Sequence, residues 1–168
     1  MLKKENELRI GADIDDCLLG FMSSYIQRFG TPKEDYIITK NVYKLRRDKQ
    51  FWENLPKLRD MDFIPELYCT KRINPKSYTI NSLKKNNFPI RPIYQMYYQK
   101  GNKAKMIKGK VDVFIDDSYS NVKMMNDSGV PCLLMDAPHN QGIDFNGRIY
   151  TLTYKEIYDT LFKMLEDI

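Results

Sequence analysis

The sequence of 168 residues predicts an α/β fold in which a parallel sheet is flanked by helices. Short apolar runs, which are typical of buried strands, alternate along the chain with segments whose apolar residues recur at helical spacing. Strands and helices that alternate in this way form a parallel sheet with helices on both faces. The length fits one domain, so we expect a single domain over residues 1–168 with a small helical insert at about residues 17–60.

The first predicted strand covers residues 8–12, where a short apolar run stops at Asp13. Apolar residues at helical spacing follow over residues 17–29, and Gly30 is typical of a helix end. Residues 30–60 are polar, basic and aromatic without the period of a strand. This stretch therefore predicts the small and mostly helical insert.

Apolar runs predict five further strands, at residues 67–69, 90–96, 111–115, 131–135 and 148–152. Pro89 and Pro92 place the third strand of the chain near an edge of the sheet, because proline cannot donate to a strand ladder. Asn74 and Pro75 are typical of an N-cap and a first helical residue, for a helix that runs to about Lys85.

Two more helices complete the pattern. Ser118 can cap a helix that ends at Gly129. The last helix is predicted to bury one apolar face, formed by Ile157, Leu161, Met164 and Leu165.

Composition excludes several classes of protein. Hydrophobic residues make up 42% of the chain, too many for a disordered protein, and no run approaches the roughly 20 apolar residues of a membrane span. Three cysteines without a CxxC predict neither a disulfide framework nor a zinc site. Since no signal peptide is recognisable, we expect a reduced, soluble protein of the cytoplasm. The net charge of +5 favours anionic partners but does not separate nucleic acid from a small phosphate compound.

Acidic residues follow two of the predicted strands. Asp13, Asp15 and Asp16 come after the first strand, and Asp116 and Asp117 follow the fourth. Each group alone is also compatible with a simple helix cap. Parallel strands bring these ends to one edge of the sheet, where crowded carboxylates repel one another. A divalent cation with oxygen ligands relieves that repulsion, so the pattern predicts Mg²⁺ at this edge.

The order of these motifs resembles the haloacid-dehalogenase-like (HAD) phosphohydrolase superfamily. The superfamily pattern is a strand followed by D-x-D, a Thr or Ser after the next strand, a lysine, and an acidic pair after the fourth strand. The matching residues are Asp13, Asp15, Thr70, Asp116 and Asp117. The resemblance implies a Rossmann-like HAD fold with a small helical cap inserted after the first strand.

A narrower resemblance is to the 5′(3′)-deoxyribonucleotidases. It is carried by V-F-I-D-D-S at residues 113–118, H-N-Q at 139–141, and F-W-E-N-L-P at 51–56. One departure is Asp16, which stands where many members carry glycine. We expect His139, the only histidine, to shape its loop rather than to act as a base.

This resemblance implies a role for each acidic motif residue. Asp13 would be the nucleophile, and Asp15 would protonate the leaving oxygen and then activate water. Asp13, Asp116 and the backbone carbonyl of Asp15 would hold Mg²⁺. Asp117 would be a more distant ligand of the metal or the cap of the next helix.

The lysine of the motif has several candidates, namely Lys100, Lys103, Lys105, Lys108 and Lys110. Asn102 is a good N-cap, which makes Lys103 the first helical residue and the preferred choice, with Lys105 second. The chosen lysine would stabilise Asp13 and the phosphoryl oxygens. Three neighbouring residues, Thr70, Lys71 and Arg72, are candidates for further phosphate contacts.

Substrate choice in this superfamily depends largely on the insert, which here is rich in aromatic residues. They are Phe21, Tyr25, Tyr36, Tyr43, Phe51 and Trp52. Such rings can stack on a nucleobase or form the core of the insert. Most of them suit the core, and Trp52 is the best candidate for a contact with a base.

The segment between Trp52 and Thr70 has only 17 residues, too few for the full helix that relatives carry there. We expect a thinly covered sheet face, which a second copy of the chain in a homodimer could cover. The expected function is a magnesium-dependent phosphomonoester hydrolase that acts on nucleoside monophosphates. Alternatives are a phosphatase for a polynucleotide end or a sugar phosphate, and a nucleotide-binding module with little turnover.

Overall fold

A computed structural model describes residues 7–96 and 102–168, and the chain forms an α/β fold around a six-stranded parallel sheet. The strand order is β3-β2-β1-β4-β5-β6. In chain order the strands are β1 (Ile10–Ala12), β2 (Leu67–Lys71), β3 (Ile93–Met96), β4 (Val113–Asp116), β5 (Cys132–Met135) and β6 (Arg148–Ile149). All five pairings are parallel, so the predicted sheet is confirmed, and this order is consistent with a Rossmann-like fold.

Seven α-helices connect or follow these strands in the described part of the chain. They are α1 (Phe21–Phe29), α2 (Asp35–Leu45), α3 (Lys49–Glu53), α4 (Lys76–Lys85), α5 (Lys103–Ile107), α6 (Tyr119–Asp127) and α7 (Tyr154–Glu166). The first three lie between β1 and β2, in the stretch for which the sequence predicts a mostly helical insert.

Both faces of the sheet are buried by helices. One face packs against α4 and α7, through residues such as Leu83 and Ile157. The other face packs against α5 and α6, through residues such as Ile107 and Val122. All three cysteines are free and buried.

Several helix details differ from the prediction. The N-cap of α4 is Pro75 without a side-chain bond, because the Asn74 amide donates to the Pro75 carbonyl and to Thr79 instead. Ser118 lies at the N-cap of α6, but its hydroxyl pairs with Ser120 rather than with a helix N–H. Leu165 is 43% exposed, because the buried face of α7 passes through other positions of the helix.

The expectation of a thinly covered sheet face is wrong. Residues 54–66 form no helix, as the short segment predicts. They nevertheless contribute the buried Leu55 to the core on this face, and the half-buried Met61 and Phe63 pack against it. Strand residues on this face, such as Ile10 and Val113, are 1% and 0% exposed. Self-association therefore loses its structural reason and stays a prediction.

The strand β3 is an edge strand, as Pro89 and Pro92 predict. Among the described residues, no helix is long and apolar enough to cross a membrane. Lys100, one of the candidate lysines, lies outside the described residues.

Candidate functional site

The candidate site lies where the strand order of the sheet reverses. β1 and β4 are neighbours at the centre of the sheet, and the chain continues from them to opposite sides. Asp13 directly follows β1, and Asp116 is the last residue of β4. The Asp13 amide donates to the Ile115 carbonyl over 2.9 Å, which fixes the two strand ends side by side. In open parallel sheets this crevice is the usual place for a ligand.

Lys103 connects the two strand ends from a neighbouring helix. The Asn102 side chain accepts from the Lys105 amide and caps α5, so Lys103 is the first helical residue, as predicted. Its Nζ lies 3.0 Å from Asp13 Oδ2 and 2.7 Å from Asp116 Oδ2. Burial alone would lower the pKa of Lys103, but the two carboxylates raise it well above its ordinary value. The lysine therefore stays charged although it is 1% exposed.

Three carboxylates meet at this point. Each of Asp13, Asp116 and Asp117 has one carboxylate oxygen within 4.8 Å of an oxygen of the other two, and all three residues are buried. Burial raises the pKa of Asp13 well above its ordinary value, and it raises the pKa of Asp117 although a hydrogen bond from His139 opposes the shift. With Lys103 the fully ionised cluster has a net charge of about −2. The hard oxygen donors and this charge fit a divalent cation such as Mg²⁺.

Asp15 is turned away from this carboxylate cluster. Its two oxygens accept from Arg72 Nε over 3.0 Å and from Arg72 Nη2 over 2.6 Å. Arg72 Nη1 donates to Thr79 Oγ1, and the arginine side chain is fully buried. Arg72 thus directs these donors at Asp15 and Thr79 in this structure, and its predicted contact with phosphate stays a prediction. The Asp15 carboxylate is not part of the three-carboxylate cluster.

A cavity of about 360 Å³ opens above these residues. Its polar side includes Asp13, Asp15, Lys103 and Thr70, and its apolar wall comes from the insert. Thr70 Oγ1 is buried and has no hydrogen-bond partner among the described residues. A buried hydroxyl without a partner is costly, and an anionic oxygen in the cavity would supply the missing partner.

Lys71 and Trp52, two further residues predicted to contact the substrate, lie in different surroundings. Lys71 lines the cavity, and its Nζ lies 3.4 Å from Asn121 Oδ1. Trp52 borders the cavity but is 1% exposed: its ring stacks on Phe21 with centroids 5.8 Å apart, and its Nε1 donates to the Leu45 carbonyl. This packing leaves no free face of Trp52 for a base, so the ring belongs to the core of the insert.

The H-N-Q loop holds Asp117 in place. His139 Nε2 lies 2.8 Å from Asp117 Oδ2, and the Asn140 amide donates to the Asp117 carbonyl over 2.8 Å. Arg148 in turn donates to the Asn140 side chain and carbonyl. His139 thus shapes the site through Asp117, which agrees with the prediction for this loop, and Asp117 does not cap α6.

The contacts that hold Asp116 were not predicted from the sequence, and the role of Asp16 was left open. Asn121 donates to both oxygens of Asp116, five residues earlier, and the Ser118 amide donates to Asp116 Oδ1. The available signal in the sequence was Asn121, a short polar side chain one helical turn after the acidic pair. Asp16 has a φ of 60° and its Oδ1 accepts from the Met22 amide, so it ties the D-x-D turn to the start of α1.

A scan against protein-family models finds no match to this chain, and no curated protein matches it either. The assignment of a function therefore depends on the fold and on the geometry of the site.

Proposed function

We propose that this protein is a HAD-type, magnesium-dependent phosphomonoester hydrolase that acts on nucleoside monophosphates. The observation that carries the proposal is the contact of Lys103 with both Asp13 and Asp116, beside the unpartnered hydroxyl of Thr70. A carboxylate, a fixed cation and a free hydroxyl donor at the carboxyl edge of a parallel sheet are the groups that phosphoryl transfer needs.

Asp13 is the nucleophile in this proposal. One of its oxygens is fixed by the Ile14 amide over 2.8 Å and the other by Lys103 over 3.0 Å, so the carboxylate has one defined orientation. An oxygen of Asp13 attacks phosphorus, and the bond from phosphorus to the ester oxygen breaks. Lys103 and Thr70 stabilise the charge on the phosphoryl oxygens. The product of this step is an aspartyl-phosphate and an alcohol.

Asp15 moves the protons. In the first step its carboxyl group gives a proton to the leaving oxygen. In the second step the resulting carboxylate takes a proton from water, and the water oxygen attacks the phosphorus of the aspartyl-phosphate. Inorganic phosphate leaves, and Asp13 is regenerated. Asp15 lines the cavity and is 19% exposed at its side chain, so it can reach a bound ester.

The cluster of Asp13, Asp116 and Asp117 would hold the Mg²⁺ ion. When bound, the ion neutralises the carboxylates and the phosphate that approaches them. Support for a nucleotide comes from the shape of the cavity. Its volume lies in the usual range for small-molecule sites, and Phe21, Met22, Ile38 and Val42 form an apolar wall opposite the charged floor. A phosphate group suits that floor, and a sugar with its base suits that wall.

The test is phosphate release from a generic aryl phosphate and from a panel of nucleoside monophosphates, with Mg²⁺ or with a chelator. We expect turnover that needs the metal and that falls by at least about 10³-fold in Asp13→Asn, since asparagine at this position cannot form the aspartyl-phosphate. Asp144→Asn is the matched control, because Asp144 is exposed and outside the site. Equal phosphate release by wild type and Asp13→Asn would refute the hydrolase. Turnover of the aryl phosphate alone would refute the nucleotide substrate.

A further inference from the structure

A second cavity, of about 460 Å³, lies at the same edge of the sheet as the candidate active site. Its lining includes four cationic side chains and no carboxylate: Arg46, Arg47, Arg72 and Lys76. The cations come from three separate parts of the chain, namely the residues after α2, the end of β2 and the first residue of α4. We call this space the basic cavity.

The positive charge of the basic cavity is largely uncompensated. Arg47 and Lys76 are exposed, and neither forms an ion pair with any residue in the described ranges. Arg46 lies over the Tyr43 ring and donates to the Tyr43 carbonyl, so it too keeps its charge free of a carboxylate. Only Arg72 is neutralised, by Asp15. A cavity with this balance favours an anion.

The start of α4 adds to the same preference. Pro75 at the N-cap makes no side-chain bond to the helix, and no acidic residue lies in the first turn. The Tyr78 amide of that turn donates to the Pro75 carbonyl, which leaves the amides of Lys76 and Ser77 for a ligand, and the helix dipole places partial positive charge at this end. A helix start of this kind beside free arginine and lysine side chains suits a phosphate group.

Asn74 gives an independent sign of a ligand. It lines the basic cavity, is 3% exposed, and its Oδ1 has no hydrogen-bond partner in the part of the chain that is described. Its Nδ2 donates to the Pro75 carbonyl and to Thr79 Oγ1, which fixes the orientation of the amide. The unpartnered oxygen can accept only from a donor such as a hydroxyl group. A sugar phosphate offers both the anion and that hydroxyl.

The two cavities are neighbours along β2. Thr70 and Lys71 line the first cavity, and the next residue, Arg72, lines the basic cavity while it holds Asp15. Consecutive Cα atoms are about 3.8 Å apart, so the two cavities begin within one residue of each other. The two cavities are therefore adjacent along β2, and the Asp15–Arg72 ion pair links the lining of one to the lining of the other.

We infer that the basic cavity binds a second phosphate of the substrate, so that the preferred substrate is a nucleotide with two separate phosphate groups. The scissile phosphate lies at Asp13, and the second lies between Arg47, Lys76 and the start of α4. This inference rests on the proposed phosphohydrolase activity and names its substrate class. A nucleoside bisphosphate and the phosphorylated end of an oligonucleotide share this chemistry.

The kinetic test compares adenosine 3′,5′-bisphosphate with the two adenosine monophosphates. We expect a kcat/KM for the bisphosphate at least about tenfold above that for either monophosphate, because charge-assisted contacts to a second phosphate add affinity. In the double variant Arg47→Gln/Lys76→Gln this ratio should fall to near one. The matched control, Lys84→Gln/Lys163→Gln, removes the same charge from exposed positions outside the basic cavity and should keep the ratio. A wild-type ratio near one, or a ratio that the double variant keeps, overturns the inference.

A binding measurement separates this inference from the proposed activity. Calorimetric titration of the bisphosphate into Asp13→Asn, and into wild type with a chelator, needs no turnover. We expect Arg47→Gln/Lys76→Gln to weaken binding at least about tenfold, and the Lys84/Lys163 control to leave it unchanged. If wild type hydrolyses no ester but this loss of affinity is seen, the activity fails and the second phosphate site stands. Equal affinities refute the site. A 5′-phosphorylated dinucleotide as a further titrant then shows which of the two sources binds more tightly.

Discussion

At the scale of single residues, the pair formed by Asp15 and Arg72 determines where the proposed acid lies. The guanidinium group donates two parallel hydrogen bonds to the carboxylate, and Thr79 and the Trp52 ring hold the guanidinium group itself. A planar, buried fork of this kind fixes both position and rotation of its partner. Arg72 is therefore a positioning residue, which acts on the reaction through Asp15.

Arg72→Lys should lower kcat/KM most for esters with poor leaving groups. Lysine keeps the charge but cannot form the two parallel bonds, so Asp15 loses its defined position. General acid catalysis contributes about 10²- to 10⁴-fold, and a good leaving group such as p-nitrophenolate needs little of it. We expect kcat/KM for a nucleoside monophosphate to fall at least about tenfold, and kcat/KM for p-nitrophenyl phosphate to change much less, because this constant does not include hydrolysis of the aspartyl-phosphate.

The control for this prediction is Asp15→Asn, which should show the same selectivity for leaving groups. Arg72→Lys in the Asp15→Asn background should then have little further effect on kcat/KM, because residues that act together are not additive. A uniform loss on both esters, or a change in KM alone, would mean that Arg72 has only a structural role.

The sequence predicted the residues of the site that lie directly at strand ends, and it missed those that depend on distant contacts. Asp13, Asp116 and Lys103 could be placed because a strand end and a helix start are local features. The Asp15 contact of Arg72 joins residues 57 positions apart, and Arg148 reaches the loop that holds Asp117 from another strand. No local pattern encodes such distances, so the sequence predicted a phosphate contact for Arg72 and did not predict its contact with Asp15.

At the scale of secondary structure, the apolar runs identified every strand, but tertiary contacts decided where α1 begins. The helical spacing starts near residue 17, and yet α1 starts at Phe21. The Leu18 carbonyl accepts from the Leu58 amide, and the Gly20 amide donates to the Pro56 carbonyl. These bonds keep residues 18–20 out of the helix, and they also explain how the segment after α3 covers the sheet without a helix of its own.

The close packing of β1 leads to a prediction for Gly11. A Cβ at this position would lie 2.9 Å from Phe114 Cδ2 and 3.0 Å from Val111 Cγ1. Gly11→Ala should therefore destabilise the protein by about 1–3 kcal/mol, the usual cost of overpacking a core. Chemical denaturation followed by circular dichroism measures this change. Val111→Ala in the Gly11→Ala background should recover part of the loss, since it removes one of the three close contacts of the new Cβ, and strictly additive losses would contradict the packing argument.

At the scale of the whole molecule, positive and negative charge are separated. Five of the 22 acidic residues, namely Asp13, Asp15, Asp16, Asp116 and Asp117, lie around the candidate site. Without them the chain has 27 basic and 17 acidic residues, a balance of +10. The proposed metal site would then lie within a cationic surface, which favours a phosphate ester without a long nucleic-acid groove. The basic cavity belongs to that cationic surface, because its lining has four cationic side chains and no carboxylate.

This separation predicts that Mg²⁺ stabilises the folded protein. The three carboxylates meet only in the folded chain, so the ion binds the native state and raises the free energy of unfolding. At about 100 times the dissociation constant the gain is about 2.7 kcal/mol. For a protein of this size that corresponds to a rise in Tm of about 5–10 °C.

Thermal unfolding at constant ionic strength, with Mg²⁺ or with a chelator and NaCl, measures the shift in Tm. Asp117→Asn removes one oxygen ligand of the cluster and should reduce the shift, whereas Asp144→Asn, at an exposed position, should keep it. Since the measurement needs no substrate, it tests the metal site apart from the proposed activity. Equal shifts in wild type and Asp117→Asn would mean that Mg²⁺ binds elsewhere on the surface, and no shift at any concentration would mean that Lys103 alone balances the buried carboxylates.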